Sequence, residues 1–295
     1  MRGSDWKTQG KMGRSPAAKA VLVLVTIAWG STFLVIKSQV ASVAVGWFLA
    51  LRFSVAAVPL IPWAVRERAV IPWKTAIWAG VWLFLAYYLQ TEGLVFTGPD
   101  RAAFITGLNV LAIPLLNFIL YRRPLSPRMA VSAVLMLVGL ALFLGPKGGI
   151  NLGDALVFGT AILLAGQVLV TASMPRGASW IGFTFVELAV TALLSWATAL
   201  FQPEPVFSPG LIEAVLYIGF VATTLAILGQ TWGQTKVPPF QAGLIFVFEP
   251  IFAAIFGVTL GDRQITWVEG TGGLIMIAAV IGYEWLGRQI ASGPT

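Results

Sequence analysis

The chain has 295 residues, of which 58% are hydrophobic and only 11% are charged. Soluble domains carry about 25% charged residues, so a soluble monomer could not bury this much apolar surface, and the composition excludes an ordinary soluble enzyme. The sequence contains no His and no Cys. This excludes a Cys/His zinc site, a thiol nucleophile, a disulfide and a Ser-His-Asp triad, and we expect no metal site and no cofactor.

Ten apolar runs follow one another along the chain, and each approaches the roughly 20 residues that cross a bilayer as a helix. The gaps between them are short and rich in Pro, Gly, Arg and Ser, so none can hold a soluble domain. Continuous runs favour helices over the short alternating segments of a membrane barrel. The sequence therefore predicts an all-α integral membrane protein with ten transmembrane helices, spans one to ten, at 17–37, 43–65, 74–96, 98–120, 127–145, 153–173, 178–200, 209–231, 238–260 and 265–286.

The first run, preceded by a basic tail, is also compatible with a signal peptide. It continues through Trp29-Gly30-Ser31-Thr32-Phe33-Leu34 without an A-x-A-like cleavage site, and nine further runs follow. A retained first span is therefore the simpler interpretation.

Positive charge is unevenly distributed between alternate gaps. If the N-terminus is cytoplasmic, fourteen of the nineteen Lys and Arg residues lie on the cytoplasmic side, four lie outside and Arg52 lies within a span. This bias follows the positive-inside rule. It predicts that both termini are cytoplasmic, with a bacterial inner membrane as the expected location. The net charge of +7 then reports orientation, and the expected partners are membrane lipid and a small solute, without nucleic acid.

The two halves of the chain resemble each other with a period of about 136 residues. The matches are Gly30 with Gly166, Pro114 with Pro250 and, at an offset of 140, Arg123-Pro124-Leu125-Ser126 with Arg263-Gln264-Ile265-Thr266. Because each half holds five spans, an odd number, the second half must enter the membrane in the opposite orientation. Inverted repeats are typical of secondary transporters, whose site lies near the membrane midplane.

We therefore predict two inverted five-helix repeats. The expected division of the chain is a cytoplasmic tail at 1–16, a first repeat at 17–145, an outer linker at 146–152, a second repeat at 153–286 and a cytoplasmic tail at 287–295. The segment Gly145-Pro146-Lys147-Gly148-Gly149 runs from the end of the first repeat into the linker. It lacks the order of a P-loop, so ATP binding is not expected.

Four short motifs occur in a characteristic order: Trp29-Gly30-Ser31-Thr32-Phe33, Leu51-Arg52-Phe53, Glu249-Pro250 and Gly261-Asp262-Arg263-Gln264-Ile265-Thr266. Over residues 17–286 they resemble the drug/metabolite transporter superfamily, and the EamA-type branch is the most similar. Arg122 departs from the pattern, since the family often has Glu there. The resemblance implies two five-helix repeats and small-solute transport, with amino-acid exporters of the YddG type and metabolite exporters among the members.

Polar and aromatic side chains within the spans are candidate solute contacts, because an ionisable group at membrane depth is costly and usually functional. Arg52 could receive a solute carboxylate or instead form a structural pair with Glu187. Many buried amides simply join helices. The predicted solute contacts are Trp29, Arg52, Tyr87, Tyr88, Gln90, Asn109, Gln167, Thr224, Gln230 and Glu249.

Two further roles are expected within the spans. Proton or charge coupling would fall to Glu249, Glu187 or Glu92, because His is absent. Helix bending is expected at Gly30, Pro114, Gly166 and Pro250, where glycine or proline weakens the helix.

These features predict a secondary transporter that exports small organic solutes, with amino acids, including aromatic ones, as the expected cargo, by alternating access. One alternative is a superfamily exporter of another metabolite or drug, such as a nucleobase, nucleoside or sugar. Another class of alternative is an intramembrane enzyme or a channel. An enzyme would need clustered acids or a nucleophile–base pair, and the acids here are scattered over spans three, seven, eight and nine.

Overall fold

The computed structural model of the chain describes residues 15–122, 126–144, 149–260 and 264–291. All regular structure in these ranges is helical, which confirms the all-α prediction. Most of the predicted N-terminal tail, the start of the linker, the segment Arg123-Pro124-Leu125, the segment Gly261-Asp262-Arg263 and the last four residues lie outside the described residues.

Fifteen α-helices make up the described chain. They are α1 (Pro16–Gly30), α2 (Phe33–Gln39), α3 (Val45–Ala57), α4 (Ile61–Arg66), α5 (Trp73–Phe96), α6 (Pro99–Gly107), α7 (Asn109–Tyr121), α8 (Pro127–Leu144), α9 (Leu152–Ala172), α10 (Trp180–Ala199), α11 (Pro209–Gly219), α12 (Ala226–Gln234), α13 (Pro239–Phe246), α14 (Glu249–Leu260) and α15 (Trp267–Ala291). Short 3-10 segments occupy Val58–Leu60 and Arg68–Val70, and a π-helical segment, Phe220–Leu225, joins α11 to α12.

Seven helical stretches of the described chain are long and apolar enough to cross a membrane, and each falls on a predicted span. They are Pro16–Gln39, Val45–Arg66, Arg101–Tyr121, Leu152–Ala172, Trp180–Ala199, Pro209–Gln234 and Pro239–Thr259. Helix α8 is apolar over the shorter stretch Pro127–Phe143. Helices α5 and α15 are long but include more polar residues. These lengths and compositions indicate an integral membrane protein, and crossing by α5, α8 and α15 stays a prediction.

Polar side chains begin several of the helices. The hydroxyls of Ser15, Ser179 and Ser208 accept from backbone N–H groups in the first turns of α1, α10 and α11. At α9, Asn151 and Asp154 form a capping box, in which each side chain accepts from the backbone N–H of the other residue. Such caps satisfy donors that have no partner within the helix, and an unsatisfied donor is costly in a membrane.

Three spans are interrupted near their middle. Span one turns between α1 and α2 directly after Gly30, span four breaks at Leu108, and span nine breaks between Phe246 and Glu249. Pro250 is the second residue of α14 and adjoins that break. Pro114, in contrast, lies inside α7, which continues through it.

Gly166 has no counterpart among these breaks, because α9 runs uninterrupted from Leu152 to Ala172. A Cβ atom at Gly166 would lie 2.4 Å from the ring of Trp82 on α5. The structure therefore gives this glycine a packing role, which allows close contact between α5 and α9, where the sequence predicted a bend.

The helices pack into one bundle around the broken spans. Helix α5 packs along α9 and α10, α3 packs along α10, and α8 packs along α15. Helix α1 contacts α12, α13 and α14. Large apolar side chains on the outside stay exposed, for example Trp267 and Trp285. An apolar exterior of this kind is suited to lipid.

Candidate functional site

A cavity lies where the breaks in spans four and nine meet α1, α3, α5, α9 and α12. Eight of the ten predicted solute contacts line it: Trp29, Arg52, Tyr87, Gln90, Asn109, Gln167, Gln230 and Glu249. About 40 Å³ of the cavity is open to the centres of water-sized molecules, which is room for a few waters. The cavity is therefore too small for an organic solute in the described conformation and would have to widen to bind one.

Two predicted contacts are not among the lining residues. Thr224 is buried, and its hydroxyl donates to the carbonyl oxygens of Ala56 at 3.0 Å and Gly219 at 3.1 Å. The hydroxyl of Tyr88 accepts from Gln202 Nε2 at 3.4 Å on a partly exposed face. Thr224 thus joins the π-helical segment to α3, Tyr88 joins α5 to the segment after α10, and neither is a lining residue of the cavity.

Arg52 is the buried cation of the site, with 1% of its surface exposed. Its Nε donates to the Thr223 hydroxyl at 2.8 Å, and its guanidinium carbon lies 4.6 Å from the centre of the Tyr87 ring. Its Nη1 is buried and has no hydrogen-bond partner among the described residues. The neutral Thr223 hydroxyl and Tyr87 ring thus hold the guanidinium in place, while its Nη1 remains available for a further hydrogen bond.

The predicted pair between Arg52 and Glu187 does not form. Glu187 instead accepts from Gln167 Nε2 at 2.6 Å, and neither ion pair found among the described residues includes it. Glu187 lies behind the cavity wall and is not a lining residue. Both residues lie in helices that are apolar enough to cross a membrane, but their side chains contact different neighbours.

Glu249 is the acid of the cavity lining. It is the first residue of α14, where the positive end of the helix dipole favours a negative charge. Its charge and that of Arg52 attract each other, yet no ion pair joins them among the described residues. The cavity therefore presents a basic and an acidic group that interact electrostatically but form no ion pair among the described residues.

Aromatic rings form much of the remaining wall. Trp29 and Phe246 meet edge to face with ring centres 5.4 Å apart. The Trp29 indole N–H donates to the Ala222 carbonyl in the π-helical segment at 3.1 Å, and Tyr87 packs edge to face on Phe53. These contacts thus fix the orientation of Trp29 and Tyr87, and both rings line the cavity.

Glu92 lies apart from this site. It is partly exposed on α5, beside Tyr88, and is not a lining residue. Of the three acids predicted for coupling, only Glu249 borders the cavity directly, whereas Glu187 reaches it through Gln167.

The comparison with known proteins identifies the family. Residues 18–145 and 151–284 match the EamA-like transporter family. The chain belongs to the EamA-like transporter family. This confirms the resemblance found in the motifs.

Several curated relatives are similar to this EamA-like transporter over most of their length. An "Uncharacterized transporter" of Archaeoglobus fulgidus is 28% identical over 265 residues, covering 88% of this chain and 83% of the relative. Protein PagO of Salmonella typhimurium is 23% identical over 91% of both chains. "Uncharacterized transporter YwfM" of Bacillus subtilis is 26% identical over 68% of this chain and 70% of the relative.

A solved crystal structure shares the fold of this EamA-like transporter. The two superimpose with a TM-score of 0.76 over 94% of this chain and 99% of the other, at 19% sequence identity. The shared architecture thus extends over nearly the whole chain.

Sequence reasoning about this EamA-like transporter found the offset of 140 between its halves only at Arg123-Pro124-Leu125-Ser126 and missed that it extends to other segments. Gln90-Thr91-Glu92-Gly93 matches Gln230-Thr231-Trp232-Gly233 at an offset of 140. At the same offset Asn109 matches Glu249, and each is the first residue after a break in its span. The match of Pro114 with Pro250 at 136 is therefore out of register, since Pro250 corresponds to Val110. The Gln-Thr-x-Gly motif was the signal that could have shown this.

Thr223 was also absent from the predicted contacts. It binds Arg52 from within the π-helical segment, where its hydroxyl donates to the carbonyl of Ile218, five residues earlier. A π-helical segment is rare and often marks a functional site. Nothing in the hydropathy of span eight distinguishes Thr223 from Thr224, so only the helix geometry separates their roles.

Proposed function

We propose that this EamA-like transporter exports small organic solutes, with amino acids, including aromatic ones, as its cargo. The observation that carries the proposal is the presence of Arg52 and Glu249 on one cavity that also has aromatic walls. A zwitterionic amino acid carries a carboxylate and an ammonium group a few bonds apart. Each charge would meet an opposite charge in this cavity, and an aromatic side chain would meet rings.

Arg52 is suited to bind the carboxylate. Its Nε is already used by Thr223, so the guanidinium is oriented before the solute arrives, and its unpartnered Nη1 is the group that gains a hydrogen bond. Charge-assisted hydrogen bonds of this kind are the strong ones. Glu249 would receive the ammonium group, and the aromatic faces of Trp29 and Tyr87 would add cation–π or stacking contacts.

The proposal includes ten transmembrane helices in two inverted five-helix repeats, with boundaries at 17–145 and 153–286. The family matches the chain twice, over similar ranges, which supports this division. Helix pairing supports it as well. Helix α5 of span three packs on α9 of span six, and the corresponding helix α12 of span eight packs on α1 of span one. Such reciprocal pairing is expected when two halves are related by a twofold axis.

Alternating access would widen the cavity towards one side at a time. One ion pair, between Arg101 and Asp154 at 2.6 Å, links α6 to α9, and another, between Lys19 and Glu284 at 2.5 Å, links α1 to α15. Positive-inside bias puts Lys19 near the cytoplasmic side and Arg101 near the outer side. With both termini cytoplasmic in a bacterial inner membrane, breaking the Lys19 pair would accompany opening inward, and breaking the Arg101 pair would accompany opening outward.

Flux of labelled solutes into liposomes that contain the purified protein tests this function. We expect saturable uptake of amino acids that accelerates when the liposomes are preloaded with the same unlabelled amino acid. Folding is verified by thermal unfolding of the same preparation. Absence of flux over a broad panel would overturn the transport function. Uptake of only nucleosides or sugars would overturn the cargo, and a conducting open state would identify a channel.

A further inference from the structure

Glu187 is a fully buried carboxylate that the solute site does not use. It lies on α10 with none of its surface exposed, behind the residues that line the cavity. Its Oε1 accepts from Gln167, whereas its Oε2 is buried and has no hydrogen-bond partner among the described residues. A buried charge without a cation is costly, and uptake of one proton removes that charge. Glu187 thus has the surroundings of a group that binds a proton.

Two amides connect Glu187 to the cavity. Gln167 Nε2 donates to Glu187 Oε1 at 2.6 Å and to the Thr171 hydroxyl at 3.1 Å, and Gln167 Oε1 accepts from Gln230 Nε2 at 2.9 Å. Both glutamines line the cavity. Because a carboxylate can only accept, the hydrogen bonds run in one direction, from Gln230 towards Glu187. Gln230 Oε1, an acceptor, takes no partner among the hydrogen bonds of the described residues and is left to the cavity.

We infer that Glu187, Gln167 and Gln230 form a proton-binding relay whose occupancy changes the polarity of the cavity wall, an inference that rests on the proposed transport function. A hydronium ion from the cavity gives one proton to the Glu187 carboxylate: one of its O–H bonds breaks, an O–H bond forms on the carboxylate, and a water molecule remains. The resulting acid donates to Gln167 Oε1 once the Gln167 amide has rotated by half a turn. Gln167 Nε2 then donates to Gln230 Oε1, and Gln230 presents its Nε2 to the cavity. The group that Gln230 presents to the cavity thus changes from the acceptor Oε1 to the donor Nε2. A donor at this position favours binding of a solute carboxylate.

The other titratable groups around Glu187 have different partners. Helix α10 packs against α3, α4, α5 and α12. The Tyr87 phenol faces Glu187 from α5, and Arg52 on α3 is turned towards Tyr87 and attracted by Glu249. Glu67, which follows α4, binds the first turn of α10 about two turns away. Helix α9 presents the Gln167 amide to Glu187, and α12 presents the Gln230 amide to Gln167, so the proton on this acid sets the direction of the relay.

Infrared difference spectroscopy of the purified protein at acidic and alkaline pH tests the proton site without any transport. We expect a carbonyl band of a protonated carboxylic acid that titrates in the wild type and disappears in Glu187→Gln. The band should shift in Gln167→Leu, which removes the hydrogen-bond partner. Gln234→Leu is the matched control, since Gln234 is a buried amide one turn beyond Gln230 that binds the Val168 carbonyl and not the relay. A titrating band unchanged in Glu187→Gln would overturn the inference.

Binding of labelled L-phenylalanine at two pH values tests the link to the cavity. The readout is the ratio of the two affinities, because loss of a cavity contact lowers both affinities and leaves their ratio unchanged. We expect about tenfold tighter binding at the acidic pH in the wild type, a typical size for coupling between two sites. The ratio should fall to about one in Glu187→Gln and Gln167→Leu, and it should persist in Gln234→Leu.

The two experiments separate the inference from the proposed function. If the titrating band and its loss in Glu187→Gln are observed while no solute binds or moves, the proton site stands and the transport function fails. If solute binds with an affinity ratio that is the same in the wild type and Glu187→Gln, transport stands and the relay is refuted.

Discussion

In span four the chain leaves α6 at Gly107 and resumes as α7 at Asn109, and in span nine it leaves α13 at Phe246 and resumes as α14 at Glu249. The two first residues after the breaks are 140 positions apart, and both line the cavity. One is a neutral amide and the other is a carboxylate. The same helix break therefore occurs in both halves of the chain, whereas the side chain that follows the break differs.

The difference between Asn109 and Glu249 separates two contributions to the site: the helix breaks come from the fold, and the chemical group at each break comes from the side chain. Each break turns the N-terminal end of a helix towards the cavity, and such an end favours a negative charge or an acceptor. At the break in span four, Asn109 supplies an acceptor, its side-chain Oδ1. This atom is buried and has no hydrogen-bond partner among the described residues. At the break in span nine, Glu249 supplies a carboxyl group that interacts electrostatically with Arg52. Of the two breaks, only the one in span nine presents a group that can carry a negative charge.

The largest expected effect comes from removing that charge. Glu249→Gln should lower the affinity for a zwitterionic amino acid about a hundredfold, because loss of one partner of a desolvated charge pair is costly. Counterflow into liposomes measures it. Glu213→Gln, at an exposed position on α11, is the control and should behave as the wild type. An equal loss in both variants would mean that the charge of span nine has no special role.

Arg52→Lys should lower solute affinity by about tenfold, since lysine keeps the charge but cannot reproduce the oriented guanidinium fork. The Nε bond to Thr223 and the contact with the Tyr87 ring would both be lost. Thr223→Val should produce part of the same loss, and adding it to Arg52→Lys should cost little more. Fully additive effects in this double-mutant cycle would contradict the positioning role of Thr223.

Asn109→Ala tests the weaker member of the comparison. We expect about a threefold loss of affinity, consistent with one neutral hydrogen bond, and hence far less than for Glu249→Ala. Binding of labelled amino acid to the purified variants measures both effects under identical conditions. A loss at Asn109 as large as that at Glu249 would show that the two breaks contribute equally.

The smallest effect is expected for Pro250→Ala. Span four breaks at the corresponding position with Val110 in place of proline, and proline is tolerated in the first turn of a helix, so flux should change by less than about twofold. Pro114→Ala is the matched variant inside α7, where a restored N–H should raise the midpoint of thermal unfolding. Loss of flux in Pro250→Ala would show that proline, and not the fold, maintains the break in span nine.

Much of the fold was predictable because the membrane imposes a simple rule. A helix must satisfy its own backbone in lipid, so long apolar runs such as 153–173 and 178–200 could be assigned from composition alone. The breaks were less predictable. Glycine and proline indicate helix bending, and two of the breaks lie next to Gly30 and Pro250. The helices run on through Pro114 and Gly166, and bending at these two residues stays a prediction.

The candidate site likewise contains residues that the sequence could predict and contacts that it could not. Scarcity of charge in the spans selected Arg52 and Glu249, since few residues of that kind occur at membrane depth. Pairing of Arg52 with Glu187 could not be tested from sequence, because a rotation of a few tens of degrees about α10 decides whether the acid meets an arginine or Gln167. Likewise Thr223 and Thr224 are adjacent in sequence, and the π-helical segment directs one to Arg52 and the other to Ala56.

The sequence by itself determined that this chain is helical, resides in a membrane and belongs to the EamA-like transporters, since composition, run length and motif order suffice for these conclusions. Only the tertiary structure decided which polar side chains share a cavity. It also revealed that Glu187 reaches the cavity through two amides, because hydrogen-bond partners depend on helix rotation and on close packing between segments far apart in the chain.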